Sequence, residues 1–600
     1  MFDFRFLFGG NNQNEAHTVM TCAALMLKVH SSPRPLFTFT STCYSTRNLR
    51  YQTGRRHASS APSDPEKPYY VTTPIFYINA APHVGHLYAL VLADVLKRWQ
   101  VLLGKRAILC TGTDEHGMKI QRAAAKARMD VRAFCDQTCK HFEKLAQRAN
   151  IAQDHFIRTS EPDHRFAVQH FWLMLKQRGY IYDSKHEGWY AVSDETFYPS
   201  SVVRLTLDPS TGRKFMASIE TGKEVEWTSE TNYHFRLSAF RDRLLEFYEK
   251  NPKFIVPETR MTEVINAVTS GLEDLSVSRP AERLSWGIPV PDDHTQTIYV
   301  WLDALCNYLT KANYPFQVPG QEDTAGWPAD CHVIGKDIVR FHCIYWPAFL
   351  MALDLPLPRQ VLTHAHWTLG QQKMAKSTGN VVNPFFAIDR FDVDTMRFYL
   401  VHDGGIQDDA DYENSHIVER YKKALQGQLG NLASRIVRGK RWNVRSTVVH
   451  ATTRDASPEG ELGKEHYLRL IELPGTVSSK MTELNSSGAV REIMKVIYKT
   501  NVYLQKTQPW DLTEDPDKLA ELTEILYVCA ESLRICGILL QPIMPDKMKR
   551  MLDMLGVAPD ARMYANAVYG SDHNYGECST VIRRDKGFEG VLFPPLISET

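Results

Sequence analysis

The sequence predicts an α/β protein, a doubly wound parallel sheet followed by an all-helical carboxyl-terminal region. Three observations lead there. From Tyr69 onward, short β-branched and aromatic runs alternate with helical periodicity over short connections. A histidine-bearing loop falls where a strand gives way to a helix, the place where such sheets take ligands. In the last third, apolar residues recur at mixed four- and three-residue spacing, as in helices that face a bundle core.

Each element follows in order. Tyr69 to Thr73 is a strand-forming run that Pro74 stops. A loop from Ile75 to Pro82 leads to a helix whose apolar positions are Leu87, Val91, Val95, Trp99 and Leu102, with Gly104 as its C-terminal stop. Arg106 to Thr111 reads as a second strand and Met118 to Arg128 as a second helix. After Asp392 the pattern is helical. Val490, Ile493, Met494 and Ile497 form one stripe, and Leu522, Leu526, Cys529, Leu533, Cys536 and Leu540 form the next. Val449 to Lys464 is a polar loop with Pro and Gly between helices.

Composition narrows the function classes. A chain of 600 residues, 43% hydrophobic and 23% charged, buries a large core and divides into about two to four domains. Seventy basic residues against 69 acidic leave a net charge of +1, so any nucleic-acid contact is made by a local surface. No apolar run is long enough to span a membrane. The 11 cysteines are scattered without a C-x-x-C pair, although Cys135 and Cys139 stand four apart, which is neither a disulfide framework nor a zinc ribbon. From Ala16 to Ser63 there is no acidic residue, while Lys28, Arg34, Arg47, Arg50, Arg55 and Arg56 stand among many Ser and Thr. That composition is expected of a mitochondrial transit peptide over residues 1–63, cleaved near Arg55 to Ser60.

Two short stretches carry chemistry. Pro82-His83-Val84-Gly85-His86 opens the first helix, where unpaired N–H groups and the positive dipole end favour phosphate. His83 and His86 lie on one face of that turn, and Gly85 leaves room for a nucleotide over the helix start. The same four letters also fit a surface accident or half a metal site. Almost three hundred residues on, Lys373-Met374-Ala375-Lys376-Ser377-Thr378-Gly379-Asn380 suits a mobile clamp for a polyphosphate leaving group. Taken alone it is an ordinary solvated surface segment. Neither a Walker loop nor G-x-G-x-x-G is present.

Together the two stretches are the signature pair of class I aminoacyl-tRNA synthetases. The run from Tyr69 to Gly117 (YYVTTPIFYINAAPHVGHLYALVLADVLKRW…CTGTDEHG) resembles the opening of the methionyl-tRNA synthetases, whose mitochondrial members of bacterial type are the nearest likeness. So do Gly271 to Arg279, Trp286 to Pro291, Val300 to Ala304, and Ile334 to His342 with Tyr345-Trp346-Pro347. The likeness runs from about Pro68 to the carboxyl terminus.

The resemblance implies a Rossmann-like catalytic domain in two parts, 64–184 and 266–400, around an inserted connective domain, 185–265. A helical anticodon-binding domain, 401–560, and a tail, 561–600, follow. It implies ATP-dependent charging of tRNA(Met) with L-methionine through methionyl-adenylate in the mitochondrial matrix. Another class I synthetase, or a synthetase-derived RNA-binding protein without activation activity, are the alternatives. By resemblance His83 and His86 hold the triphosphate with Gly85 between them, Lys373, Lys376 and Ser377 close over it, and Gly335 lies beside the adenine. ATP comes with Mg2+. Methionine's thioether offers only shape and polarizability to a pocket, which by resemblance consists of Ile75, Tyr77, Trp301, Ala304, Leu305, Tyr308, Phe341, His342 and Trp346, with Asp114 pairing the α-ammonium. Asn431, Arg435 and Trp510 match anticodon-reading positions, types that stack on and bond to unstacked bases.

Two departures stand out. Ala375 replaces the usual Ser of the lysine loop, so slower activation is expected. Lys185 to Val225, where many relatives carry zinc knuckles, holds no cysteine, so no structural zinc is expected. No appended dimerising module is visible and a monomer is expected.

Overall fold

The alternation of strands and helices resolves into a parallel sheet six strands wide, and its strand order decides where a crevice opens. The structure, a computed structural model, describes residues 67–192, 196–198, 200–208, 211–219, 221–316, 325–374, 380–452, 458, 460–577 and 591–596. The expected transit peptide lies outside these residues, as do Ala375, Lys376 and Ser377.

The first half runs β1 (Tyr69–Tyr77), α1 (Val84–Leu102), β2 (Ala107–Asp114), α2 (Met118–Ala127), α3 (Val131–Arg148), β3 (His155–Arg158) and α4 (Pro162–Gln177). Pro74 does not end the first strand. It sits in a bulge between Thr72 and Ile75, beyond which Tyr77 pairs with Asp114. A proline lacks the N–H that the ladder needs, and a bulge lets the strand continue past it.

Between the halves lie β4 (Ile181–Ala191), β5 (Thr196–Tyr198), β6 (Val203–Leu207), β7 (Lys214–Ser218) and β8 (Glu226–Phe235), then α5 (Arg241–Lys250). β4 and β8 form a long antiparallel pair, and β6 and β7 a separate hairpin. The insert expected over 185–265 is placed differently: its first strand starts at Ile181, and β9 (Ile255–Val256) already belongs to the parallel sheet, beside Val361 and Leu362. A two-residue strand has too little pattern to be read from sequence.

The second half continues with α6 (Glu258–Thr269), β10 (Leu275–Ser276), β11 (Ser278–Pro280), β12 (Pro289–Val290), β13 (Asp293–Ile298), α7 (Val300–Leu305) and α8 (Asn307–Thr310). Then come β14 (Cys331–Gly335), a π-helical turn at Phe341–Tyr345, α9 (Trp346–Ala352), β15 (Val361–His364), β16 (Trp367–Leu369) and β17 (Gln372–Lys373). The sheet order is β3-β2-β1-β14-β15-β9. Its first half winds outward from β1 and its second from β14, so the switch point lies between those two strands, where open α/β sheets bind ligands. Their pairing ends at Thr72 with His332, and the crevice opens beyond.

α10 (Pro384–Phe391) and α11 (Val393–Asp403) lead, past β18 (Ala410–Asp411), into α12 (Asn414–Arg420). α12 continues through a π-helical stretch, Tyr421–Gly430, into α13 (Asn431–Val437), one helix of 24 residues. The bundle is completed by α14 (Val444–Thr452), α15 (Glu461–Thr482), α16 (Ser486–Thr507), α17 (Leu519–Leu540) and α18 (Pro545–Leu555). Helix α14 and the start of α15 take both ends of the loop expected over Val449 to Lys464. The stripe on α16 is buried as expected. On α17 the stripe is too narrow a description, because every residue from Ile525 to Leu540 is buried. Burying a helix all round removes much more apolar surface than a stripe does, at roughly 25 cal/mol per Å².

Candidate active site

The histidine loop is built by its own imidazoles. His83 is the N-cap of α1, and its Nδ1 accepts the Gly85 N–H at 3.0 Å, while His86 Nδ1 accepts the His83 N–H at 3.0 Å. The rings stand 3.9 Å apart between centroids. The N–H groups of His86 and Leu87 return to the His83 carbonyl, and that of Val84 goes to the Val382 carbonyl at 3.2 Å. This corrects the reading of the loop as a set of unpaired backbone donors, since the first turn's N–H groups are occupied by the protein itself. What the turn offers is side chain: a neutral imidazole that accepts at Nδ1 carries its proton on Nε2, a donor suited to a phosphate oxygen. Gly85 also has a local reason, because a Cβ there would sit 2.8 Å from the His83 ring.

The Val84–Val382 bond also ties down the chain that follows the lysine loop. The β16–β17 hairpin pairs Thr368 with Lys373, and the next residue, Met374, is buried in the same core cluster as the α1 residues. The Asn380 side-chain amide donates to the Leu369 carbonyl at 3.2 Å, and two residues later Val382 meets the start of α1. The flanks of the lysine loop are thus brought to the histidine loop, although Lys376 and Ser377 lie outside the described residues. On the other side of the crevice, Gly335 ends β14. A Cβ there would meet an Asp337 carboxylate oxygen at 2.8 Å.

The apolar candidates converge as well. Leu305, Tyr308 and Trp346 are buried members of one hydrophobic cluster, on which Ile75, Tyr77, Trp301 and Phe341 pack. Trp301 and Phe341 stack face to face at 3.6 Å. Ala304 is buried on the same short helix as Trp301, and Trp346 is wholly enclosed, its ring against Phe171, Tyr308 and Trp327. His342 Nδ1 donates to the Ile338 carbonyl at 3.0 Å, so its Nε2 accepts the Tyr308 hydroxyl at 2.7 Å. Burial pushes the His342 pKa down to about 4, leaving a neutral ring, and pushes that of the neighbouring His332 well below its usual value. The wall is therefore uncharged and polarizable, with Asp114 buried at the end of β2.

Several residues here escaped the sequence reading. Asp303, fully buried, takes His116 Nδ1 at 2.7 Å and His164 Nε2 at 2.8 Å on its two oxygens. Burial opposes its ionisation, but the two imidazoles outweigh it and hold the carboxyl below its usual range. Glu115, also buried, is gripped by Arg158 Nε and Nη2 at 2.7 and 2.9 Å. Arg279 lies buried between the rings of Tyr190, Phe197 and Tyr299. The signal was present in that Arg279 and Asp303 both fall inside motif segments, but one sequence does not say which carboxylate meets which imidazole.

At the knuckle position the chain forms the β4–β5 hairpin, with Tyr190 against Phe197 at 4.9 Å. Among the described residues no group of three His, Cys, Asp or Glu is arranged to hold a metal ion. In the bundle, the Arg435 guanidinium lies 5.0 Å over the Trp510 ring, and Asn431 is exposed one turn before it on α13.

Comparison with known proteins settles the class. Residues 69–437 match the family model described as tRNA synthetases class I (M). A Neurospora crassa protein named probable methionine–tRNA ligase, mitochondrial, is 53% identical over 90% of this chain and 87% of its own. The chain belongs to the class I methionyl-tRNA synthetase family. The human mitochondrial methionine–tRNA ligase is 42% identical over 88% of this chain and 90% of its own. The Mycobacterium tuberculosis synthetase, solved with methionyl-adenylate, superposes with a TM-score of 0.80 at 36% identity, covering 88% of this chain and all of that one. The parallel sheet is thus the class I catalytic fold, and the chain is an aminoacyl-tRNA synthetase by family.

Proposed function

We propose that this synthetase charges tRNA(Met) with L-methionine in two steps. A methionine carboxylate oxygen attacks the α-phosphate of ATP, the bond to the β-phosphate breaks and pyrophosphate leaves. A hydroxyl of the terminal tRNA ribose then attacks the adenylate carbonyl, forming the ester and releasing AMP. Neither step needs a covalent enzyme nucleophile, so the residues position groups and balance charge.

The observation that carries this reading is the hydrogen bond between Val84 and Val382, which joins the histidine loop to the chain leaving the lysine loop at the sheet's switch point. His83 and His86 donate from Nε2 to the triphosphate, and Lys373 and Lys376 neutralise the departing pyrophosphate, with Ser377 on the same loop. Gly335 leaves space for the adenine. Asp114 pairs the α-ammonium, and the walls of Ile75, Tyr77, Trp301, Ala304, Leu305, Tyr308, Phe341, His342 and Trp346 receive the thioether. Mg2+ arrives on the ATP phosphates as part of the substrate. Asn431, Arg435 and Trp510 read the anticodon, the stacked pair opening to admit a base. The acid-free segment before Ser63 and the mitochondrial names of the relatives support import to the matrix, where the chain acts as a monomer.

Methionine-dependent exchange of labelled pyrophosphate into ATP tests the first step. Exchange driven by methionine is expected. Exchange driven instead by another amino acid, or none with tRNA binding intact, overturns the reading.

A further inference from the structure

We infer that Asp303 is a positioning residue for the amino-acid site: it ties the loop that carries Asp114 to the helix that carries Trp301 and Ala304. The inference rests on the proposed pairing of Asp114 with the substrate ammonium. The loop after β2 runs Asp114-Glu115-His116-Gly117. Its outer side is fastened by Glu115 to Arg158 and by the Trp286 indole N–H to the Glu115 carbonyl at 2.6 Å. The Gly117 N–H returns to the Trp286 carbonyl at 3.2 Å. None of these contacts reaches α7. The side-chain bond that does is His116 to Asp303, at 2.7 Å.

The other carboxylate oxygen is held from behind. His164, on the first turn of α4, takes it at 2.8 Å and reaches the Thr310 hydroxyl with its other nitrogen at 2.9 Å. Thr310 ends α8, the helix of Tyr308. One buried carboxylate thus joins the ammonium loop, both pocket helices and α4. The ring nitrogens bond directly to the carboxylate oxygens rather than converging on a shared point, which makes this a hydrogen-bonded strut and not a metal site. A buried carboxylate between imidazoles is also a weak device for stability alone, because removing it from water costs about as much as its partners return. What it supplies is direction. Turning the Asp114 loop by one rotamer would move the ammonium partner relative to the thioether pocket.

The test uses two variants of the full-length enzyme. Asp303→Asn keeps the shape but has one acceptor for two imidazole N–H groups. His116→Leu removes the donor of the arm to the loop and leaves the Asp303–His164 bond, which covers the case that the first variant does not fold. Pyrophosphate exchange gives KM for methionine and for ATP. Competition gives Ki for the deaminated analogue, which keeps thioether and carboxylate but lacks the ammonium. Both variants are expected to raise KM for methionine by about 10- to 100-fold, with KM for ATP and Ki for the analogue unchanged. An unchanged KM for methionine overturns the inference. So does an analogue Ki that rises in step with KM, since that marks a merely loosened pocket. Asp114→Asn separates the two levels. If it leaves the preference for methionine over the analogue intact, the ammonium pairing itself is wrong. If it abolishes the preference while the other two variants keep it, only the role of Asp303 falls.

Discussion

Around the parallel sheet the buried carboxylates Asp303 and Asp94 reach partners far along the chain, Asp94 in addition to its neighbour Arg98, whereas the buried Glu531–Arg534 pair of the bundle is closed within one helical turn. Asp303 meets imidazoles 187 and 139 residues away. Asp94 on α1 meets Arg397 on α11, 303 residues on, and that guanidinium also takes carbonyls of Pro542 and Ile543 before α18. In the bundle, Glu531 and Arg534 face each other on α17 at 2.7 Å through both oxygens, and the Asn566 and Val568 carbonyls complete the guanidinium. The local pair needs only its helix and a strap over it. The distant pairs exist only when several elements have already docked, so they report tertiary geometry, and loosening them should be felt in the chemistry of the crevice. The bundle pair should be felt in stability.

That contrast can be broken in order of effect. Glu531→Ala leaves a buried guanidinium unpaired and should cost about 3–5 kcal/mol in urea unfolding, while exchange by the surviving folded enzyme stays normal. A loss under about 1 kcal/mol would remove the distinction. His86→Ala should lower exchange by about 100- to 1,000-fold with tRNA binding intact, and unchanged exchange would leave that imidazole a cap and nothing more. His83→Asn sharpens the same point. Asn caps helices well, so thermal stability should hold while exchange falls as far.

Trp510→Ala comes next, with about 1–3 kcal/mol lost from tRNA binding and none from adenylate formation. An equal fall in adenylate formation would place the tryptophan elsewhere in the mechanism. The smallest effect lies at the seam between the regions. Burial raises the Asp394 pKa to about 7, against the Lys547 N–H and Arg397, which lower it. A carboxyl raised in the folded state favours its protonated form there, so its contribution is lost as pH climbs from the unfolded value through 7. Asp394→Asn, which keeps the acceptor for the Lys547 N–H at 2.6 Å, should therefore gain on the order of 1–2 °C at pH 8 and nothing at pH 4. Equal shifts in melting temperature at both would discard the burial argument.

How much of this could be read from the chain follows the same division. The sheet's alternation, the histidine turn and the stripe on α16 were legible because each is a local pattern with a fixed period. Pro74 misled, since a bulge is a tertiary accommodation with no residue signature of its own. Helix α17 was read as amphipathic because its sequence shows spacing but not how many neighbours surround it. Gly85 was explained by a ligand alone, and the structure adds a local reason in the His83 ring. The ties of Asp303 were invisible, as a carboxylate in a known segment does not say which imidazole will find it.

The uninterrupted rod from Asn414 to Val437 carries one more consequence. It spans roughly 30 Å. It starts two residues after Tyr412, whose N–H bonds the Thr368 carbonyl inside the lysine-loop hairpin, and near its far end Arg435 rests on Trp510. No loop lies between to absorb slack. One run of helical backbone thus joins the Arg435–Trp510 contact to the hairpin beside the histidine turn.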